Sequence, residues 1–156
     1  MKIRRPLFFA VVAASAVSLA SIAVSAVAAE TPFKGTVNAV ETGTTVFPIR
    51  SITREGGGTA TYLGKYTEHI TAQINVVTRH ATGAATFTAA NGDTLTATDE
   101  GQATPTTPGM LSIVEVYTIT GGTGRFADAT GTITLHSTVN QATGVSSGTL
   151  SGAIDH

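Results

Sequence analysis

Several acidic and phenolic side chains share the apolar phase of predicted β-strands, where water would be excluded. These residues are Tyr66, Glu68, Tyr117 and Glu115, with Asp99 as a further candidate. A carboxyl group buried in apolar surroundings has a raised pKa, so it can bind a ligand hydroxyl or transfer a proton near neutral pH. The pattern therefore indicates polar groups in an internal cavity, with ligand binding or acid–base chemistry as their functional interpretation.

A structural role for Glu115 is the alternative interpretation. In that role Glu115 pairs with Arg125 and accepts hydrogen bonds from the amides of the glycine-rich turn that follows its strand. Either interpretation requires a partner or a proton, because an unpaired buried charge is costly. Placing Glu68 and Glu115 in one interior also depends on phase, since a β-bulge in either strand would move one of them to the other face.

The sequence argues against most other kinds of catalytic or cofactor site. The chain contains no cysteine, which excludes a thiol nucleophile, cysteine metal ligands and disulfides. Its histidines lack metal-site spacing, and its serines lack a Gly-x-Ser-x-Gly elbow. Gly122-x-Gly124-x-x-Ala127 formally matches the dinucleotide fingerprint, but the Asp-Ala-Thr-Gly that follows stops the helix such a site needs. We therefore expect no metal and no cofactor.

The N-terminus has the features of a secretory signal peptide. A short basic segment precedes a run of about 20 apolar residues, and the small residues at positions 26–29 satisfy the cleavage rule. The prediction is a signal peptide over residues 1–29, with no stable membrane anchor after cleavage, and one domain over residues 30–156. Such a protein would be secreted, periplasmic or at the cell surface. An uncleaved N-terminal anchor is the alternative.

Charge and composition narrow the partners of the predicted domain. Six basic residues remain against ten acidic ones after cleavage, so the net charge is about −4 with histidine neutral. There is no basic patch, and nucleic acid is therefore not an expected partner. Abundant Thr, Gly and Val, with no Trp, favour β-structure.

Residues 30–156 alternate with the period of two that is typical of β-strands. The predicted strands cover residues 33–40, 46–53, 59–78, 84–90, 93–104, 110–120, 131–140 and 145–154. We expect Gly64 to bend the longest run, residues 54–58 to form a flexible loop, and Asn91-Gly92 to form a type I′ hairpin turn. With no helical period, the pattern predicts an all-β fold, either a closed barrel or a β-sandwich.

The glycine-rich segment after residue 120 carries a family resemblance. Its Gly-Gly-Thr-Gly-Arg-Phe-Ala at 121–127, followed by Ala-Thr-Gly at 129–131, resembles a motif of allene-oxide-cyclase-like and dirigent-like barrel proteins, especially small exported bacterial members. The resemblance implies an eight-stranded antiparallel β-barrel of the lipocalin-like (calycin) group. It brings no catalytic residue onto this sequence. The turn residues singled out are Gly121, Gly122, Gly124, Arg125 and Phe126, with Phe126 plugging the barrel end and Arg125 bonding backbone carbonyls or a carboxylate.

The favoured functional interpretation is an exported barrel that binds a small hydrophobic molecule or serves as a structural or interaction module. The alternative is an isomerase or cyclase that confines a reactive lipophilic substrate, as the resemblance implies. An apolar cavity of roughly 300 Å³ or more would favour ligand binding or catalysis, whereas a solid barrel would exclude both. Neither ligand identity nor oligomeric state follows from the sequence.

Overall fold

A computed structural model describes residues 31–156 as one closed sheet with a single short helical turn. The strands are β1 (Thr31–Val46), β2 (Ile49–Ala60), β3 (Gly64–Asn75), β4 (His80–Ala89), β5 (Thr94–Pro105), β6 (Met110–Gly122), β7 (Thr130–Asn140) and β8 (Val145–Asp155), and a 3₁₀-helix (Gly124–Phe126) lies between β6 and β7. Within that range, no helix has the length and apolar character to cross a membrane. The signal peptide predicted over residues 1–29 lies outside the described residues.

Pairing of the first strand with the last closes the sheet into a barrel. Each strand is antiparallel to its neighbours in sequence, and β1 also pairs with β8, from Thr31 opposite Ile154 to Val40 opposite Val145. Closure leaves no unpaired strand edge, which suits a fold that has no disulfides. The eight-stranded antiparallel barrel is confirmed, and the β-sandwich alternative is wrong.

Alternation along the strands divides each one into an inward and an outward face. In β3 the inward residues Tyr66, Glu68, Ile70 and Ala72 are all buried, and the residues between them are exposed, as the sequence pattern predicts. The same period buries the aromatic and branched side chains that form the core. Its largest members are Phe33, Ile70, Phe87, Leu95, Tyr117, Phe126, Ile133, Leu135 and Ile154.

The barrel has a closed end and an open end. The closed end contains both ends of the described chain and the connections that follow β2, β4 and β6. Phe126 is fully buried there, with the centre of the His156 ring 5.5 Å from its own and the Tyr62 ring 4.5 Å from His156 at a tilted angle. The open end contains the four hairpin connections that follow β1, β3, β5 and β7.

The glycine-rich turn forms the plug of the closed end. Gly121 and Gly124 have φ values of +124° and +58°, which favour glycine. The Arg125 guanidinium lies 4.9 Å from the centre of the Phe126 ring, and its Nε lies 3.7 Å from a carboxylate oxygen of Asp93. The structure thus places Phe126 in the barrel end and Arg125 beside a carboxylate on the neighbouring turn.

Three local predictions are wrong. The run over residues 59–78 is not one strand bent at Gly64, because a turn at residues 61–63 separates the end of β2 from the start of β3. Residues 54–58 belong to β2 and do not form a flexible loop. Close approach of β1 explains the glycines, since a Cβ on Gly58 would lie only 1.8 Å from the Thr36 carbonyl oxygen. The turn at Asn91-Gly92 has a positive φ only at Gly92, and the Gly92 amide donates to the Ala89 carbonyl, so it is not a type I′ turn.

Candidate functional site

A charged and phenolic network crosses the middle of the barrel interior. Arg54 on β2 is 2% exposed, and its Nε donates to Glu68 Oε1 on β3 over 3.1 Å. Its Nη1 donates to Glu115 Oε2 on β6 over 2.7 Å, and its Nη2 donates to the Tyr117 hydroxyl. The Tyr117 hydroxyl in turn donates to Glu115 Oε2 over 3.0 Å. One guanidinium therefore joins three strands through side chains alone.

Inward-facing glycines make room for this network. Gly56 lies opposite Glu68 in the β2–β3 ladder, and Gly101 lies opposite Glu115 in the β5–β6 ladder. A Cβ on Gly101 would lie 3.0 Å from Glu115 Cγ, closer than side-chain carbons normally approach. The local sequence thus pairs each glutamate with a neighbour that occupies almost no interior volume.

Asp99 is the member of this interior group that has no partner. It is 2% exposed on β5, opposite Tyr117 in the β5–β6 ladder. Neither of its carboxylate oxygens has a hydrogen-bond partner in the described part of the chain, and Glu68 Oε2 also has none there. Three carboxyl groups therefore surround one guanidinium. We refer to Arg54, Glu68, Asp99, Glu115 and Tyr117 as the Arg54 cluster.

Burial and the excess of carboxyl groups change the acidity of this cluster. Burial raises the pKa of Asp99 to about 7, with repulsion from Glu115 acting in the same direction and Arg54 opposing it. Burial also raises the pKa of Glu68, although the neighbouring Arg54 partly offsets this effect. The pKa of Tyr117 lies well above its ordinary value, chiefly because of burial. The cluster can therefore retain a proton on a carboxyl group near neutral pH.

Arg54 remains charged in this setting. Burial acts to lower the pKa of Arg54, but the attraction of Tyr117, Glu115 and Glu68 outweighs burial and holds the pKa above its ordinary value. A fixed cation of this kind compensates buried carboxylates, which would otherwise be costly. The arrangement can hold charge and protons inside the barrel, and its contacts join β2, β3 and β6.

A separate pocket of about 220 Å³ lies at the open end. Its apolar lining comes from β3, β5, β6, β7 and the start of the β3–β4 turn, and the residues are Ile74, Val76, Ala103, Leu111, Ile113 and Val139. Two arginines, Arg50 and Arg79, also line it. Arg50 Nη2 lies 3.2 Å from Glu41 Oε1, whereas Arg79 forms no ion pair within residues 31–156. The pocket is smaller than the roughly 300 Å³ expected of a hollow ligand-binding barrel.

All four residues predicted for an internal cavity lie inside the barrel. Glu68, Glu115 and Tyr117 meet in the Arg54 cluster. Tyr66 is buried but lies apart, because its hydroxyl donates to the Thr36 carbonyl over 3.0 Å. None of the four lines the open-end pocket. The four predicted polar side chains are therefore separate from the open-end pocket, which is the space that a ligand could enter.

The partner of Glu115 differs from the one considered in the structural alternative. Arg125 lies beside Asp93 at the closed end, and Glu115 pairs with Arg54. Sequence reasoning missed Arg54 because the glycines after it suggested a loop. The signal that could have found it is the alternation of Ile52, Arg54 and Gly56, which continues the inward phase of β2.

Comparisons of this chain with protein-family models, with curated proteins and with solved structures gave no match.

Proposed function

We propose that the protein is an exported β-barrel that binds a small apolar molecule carrying a negative charge, in the pocket at its open end. The observation that carries the proposal is an apolar pocket of about 220 Å³ with an arginine, Arg79, that has no ion-pair partner among the described residues. Pockets that bind small molecules typically combine apolar walls with a few convergent polar groups.

The apolar walls of the pocket favour the binding of any apolar ligand that fits, but they do not distinguish between chemical classes of ligand. The pocket is lined from three strands by Ile74, Leu111, Ile113 and Val139. An apolar ligand bound there would be shielded from water on several sides, which favours binding. An apolar cavity of about 150 Å³ holds one benzene molecule, with its six carbon atoms. By the same ratio, this pocket of about 220 Å³ holds about nine non-hydrogen atoms. Short-chain or single-ring molecules fit this limit.

The two arginines supply the preference for an anion. Arg50 is already paired with Glu41, so its charge is largely compensated. Arg79, which has no ion-pair partner within residues 31–156, can pair with a carboxylate, for which the planar guanidinium is well suited. We therefore infer that a carboxylate lies at the pocket entrance and the apolar part of the ligand points toward Ile113.

An isomerase or cyclase activity has weaker support. The buried carboxyl group whose pKa lies near neutral, Asp99, belongs to the Arg54 cluster, and none of that cluster lines the pocket. The carboxylate that does line the pocket, Glu41, is paired with Arg50, and the polar uncharged side chain there is Gln141. Catalysis by the cluster would require the barrel to open, and a ligand-binding role requires no such change.

The proposal is tested by titrating isotope-labelled protein with hexanoate and with hexanol, which differ mainly in charge. We expect saturable shifts of the Ile74, Leu111, Ile113 and Val139 methyl signals, with hexanoate binding more tightly. Arg79→Gln removes the preference for hexanoate, and Ile113→Trp fills the pocket and abolishes binding of both. Val116→Thr, on the outer wall, is the matched control. If neither hexanoate nor hexanol shifts these methyl signals, the proposal is wrong.

Native mass spectrometry of the protein recovered from its own host addresses the natural ligand. We expect a co-purifying organic acid of low mass, released when the protein is denatured. The same preparation also gives the mass of the chain, and a chain that retains residues 1–29 would contradict cleavage of the signal peptide.

A further inference from the structure

Two hairpin tips at the open end expose a group of apolar side chains beside the pocket entrance. Val46 and Phe47, in the β1–β2 hairpin, are 80% and 77% exposed, and Val77, in the β3–β4 turn, is 62% exposed. The Val76 amide donates to the Pro48 carbonyl over 2.9 Å, which fixes the two tips to each other. We call Val46, Phe47, Val76 and Val77 the apolar rim.

Within residues 31–156, the closed end exposes no group of apolar side chains comparable to the apolar rim. The large apolar residues of the closed end, Phe33, Leu63 and Phe126, are all buried. The other exposed valines lie on the outer wall and are less exposed than Val46 and Val77. Val114 and Val116, two apart on β6, are 39% exposed, and Val40 and Val145, opposite each other in the β1–β8 ladder, are 46% and 53% exposed. Valines exposed to this extent on a strand wall are ordinary, but adjacent tips that carry Phe and Val indicate an interaction surface.

The connections at the two ends of the barrel also differ in their charged residues. The four connections of the open end contain one charged residue, Arg79, and it is positive. The connections of the closed end contain Asp93, Arg125 and Asp128, and the strands near that end carry Lys34, Lys65 and Asp155. Arg50 also lies near the open end, compensated by Glu41. The apolar rim therefore has a positive neighbour and no uncompensated carboxylate in its connections.

From this combination we infer that the open end docks on an anionic lipid surface, with the apolar rim inserted among the lipid chains and Arg79 beside the headgroups. Apolar side chains gain by leaving water at the lipid interface, and a basic residue near the surface gains from the negative potential. The pocket entrance would then face the lipid. The inference does not depend on what the pocket binds.

A lipid surface fits these features better than a second copy of the chain. A symmetric dimer through the open end would bring the two Arg79 side chains toward each other without an opposing carboxylate in the connections. Like charges at an interface are costly, whereas anionic headgroups compensate them. The contact is expected to be weak and reversible, because a few apolar side chains provide less than a full lipid anchor.

The test identifies which part of the protein contacts lipid, and it uses the protein in the form released by its host. Labelled protein is mixed with vesicles of phosphatidylcholine and phosphatidylglycerol that contain a nitroxide-bearing lipid. We expect strong paramagnetic broadening of the Val46 and Val77 methyl signals and little broadening of Val116. The partition coefficient on pure phosphatidylcholine should be about fivefold lower, which is the gain expected of one basic residue near an anionic surface. Added salt lowers the partition coefficient on the anionic vesicles, because the charged part of the contact is screened.

Variants separate the apolar contribution from the charged one. Phe47→Ser and, as a second independent change, Val77→Ser each lower the partition coefficient several-fold, while Val116→Ser, the matched change on the wall, leaves it unaltered. Arg79→Gln reduces binding to anionic vesicles only. Hexanoate titration of Phe47→Ser is unchanged, so failure of lipid binding and failure of ligand binding can be told apart.

Three outcomes would overturn the inference. Broadening confined to the closed end, where Thr31 begins β1, would show that the contact is made from the other side of the barrel. Equal broadening of rim and wall valines would show nonspecific adsorption. Lipid-free, concentration-dependent self-association that is abolished by Phe47→Ser would show that the apolar rim pairs with a second copy of this chain.

Discussion

Arg54 Nη1 donates a hydrogen bond to Glu115 Oε2 over 2.7 Å across the interior of the barrel. The two residues are on β2 and β6, which lie on opposite sides of the eight-membered ring of strands. Most contacts in a barrel join neighbouring strands, so this ion pair is a direct link between walls that are otherwise connected through the sheet. Its energetic role is open to test because each end can be removed separately.

Replacing Arg54 by Met should destabilise the protein strongly. Removal of one partner from a buried ion pair costs about 3–5 kcal/mol, because it leaves uncompensated buried charge. In this variant Glu68 and Glu115 lose their cation. Burial already raises the pKa of Glu68, so Glu68 can bind a proton more readily at pH 5 than at pH 8, and the loss should be larger at pH 8. Urea denaturation at the two pH values measures both effects.

Arg50→Met is the matched control for that prediction. Its ion pair with Glu41 lies near the barrel mouth, and the Arg50 side chain is partly exposed. Such pairs are usually worth less than about 1 kcal/mol, and we expect a change of that size. Equal losses for the two variants would contradict a special role for the buried arginine.

Glu115→Gln should lower stability without changing ligand binding. The amide keeps the shape of the side chain but weakens the charge-assisted bond from Arg54, so we expect a loss of about 1–3 kcal/mol and a lower melting temperature. The shifts that hexanoate produces at Ile113 should be unchanged, since Glu115 does not line the pocket. A changed ligand profile with an unchanged melting temperature would assign Glu115 a binding role instead.

Stability should fall as the pH rises through the range in which Asp99 releases its proton. Burial raises the pKa of Asp99 from 3.8 to about 7, so between these values the folded chain binds a proton that the unfolded chain does not. The stability that this proton contributes, at most about 4 kcal/mol, is therefore fully present below about pH 4, falls as the pH rises from about 4, and is lost once the pH has risen through about 7. Glu68, whose pKa is also raised, acts with the same sign.

Asp99→Asn isolates this contribution. The groups that influence Asp99 are Glu115 and Tyr117 on β6, Arg54 on β2, Glu68 on β3 and Glu100 beside it on β5. The amide cannot ionise, so the variant should match the wild type near pH 4, exceed its stability at pH 8, and retain only the slope due to Glu68. Asp128→Asn, in the exposed connection between β6 and β7, should keep the full pH dependence. A parallel pH profile for Asp99→Asn and the wild type would rule this explanation out.

The inward positions of the barrel were predictable wherever alternation continued without interruption. Tyr66, Glu68, Asp99 and Tyr117 were each assigned to the apolar phase from sequence, and all four are buried. A period of two is sufficient for this assignment, because successive side chains in a strand point to opposite faces. The eight-stranded closure was implied by the resemblance of the glycine-rich turn, since alternation alone left both a barrel and a sandwich open.

The partner of the buried carboxyl groups was not predicted, and the reason is physical. Glycines weaken the propensity for a strand, so residues 54–58 looked like a loop. In the barrel the same glycines are required by close packing, since a Cβ on Gly56 would lie 2.4 Å from the Ala39 Cβ. The strand propensity of a segment contains no information about its contacts with another strand. Electrostatics offered a route to Arg54, because interior carboxyl groups need a cation and few basic residues are available.

Phe126→Ala should be among the most destabilising single changes in this protein. The ring is fully buried in the closed end, and removal of such a ring costs about 3–5 kcal/mol through lost burial and the cavity left behind. Phe47→Ala is the matched control, because Phe47 is 77% exposed and should change the free energy of unfolding by about 0.5 kcal/mol or less. Hexanoate should still bind to folded Phe126→Ala, since the pocket lies at the other end. A loss below about 1 kcal/mol in urea denaturation would mean that the glycine-rich turn is dispensable for closing the barrel.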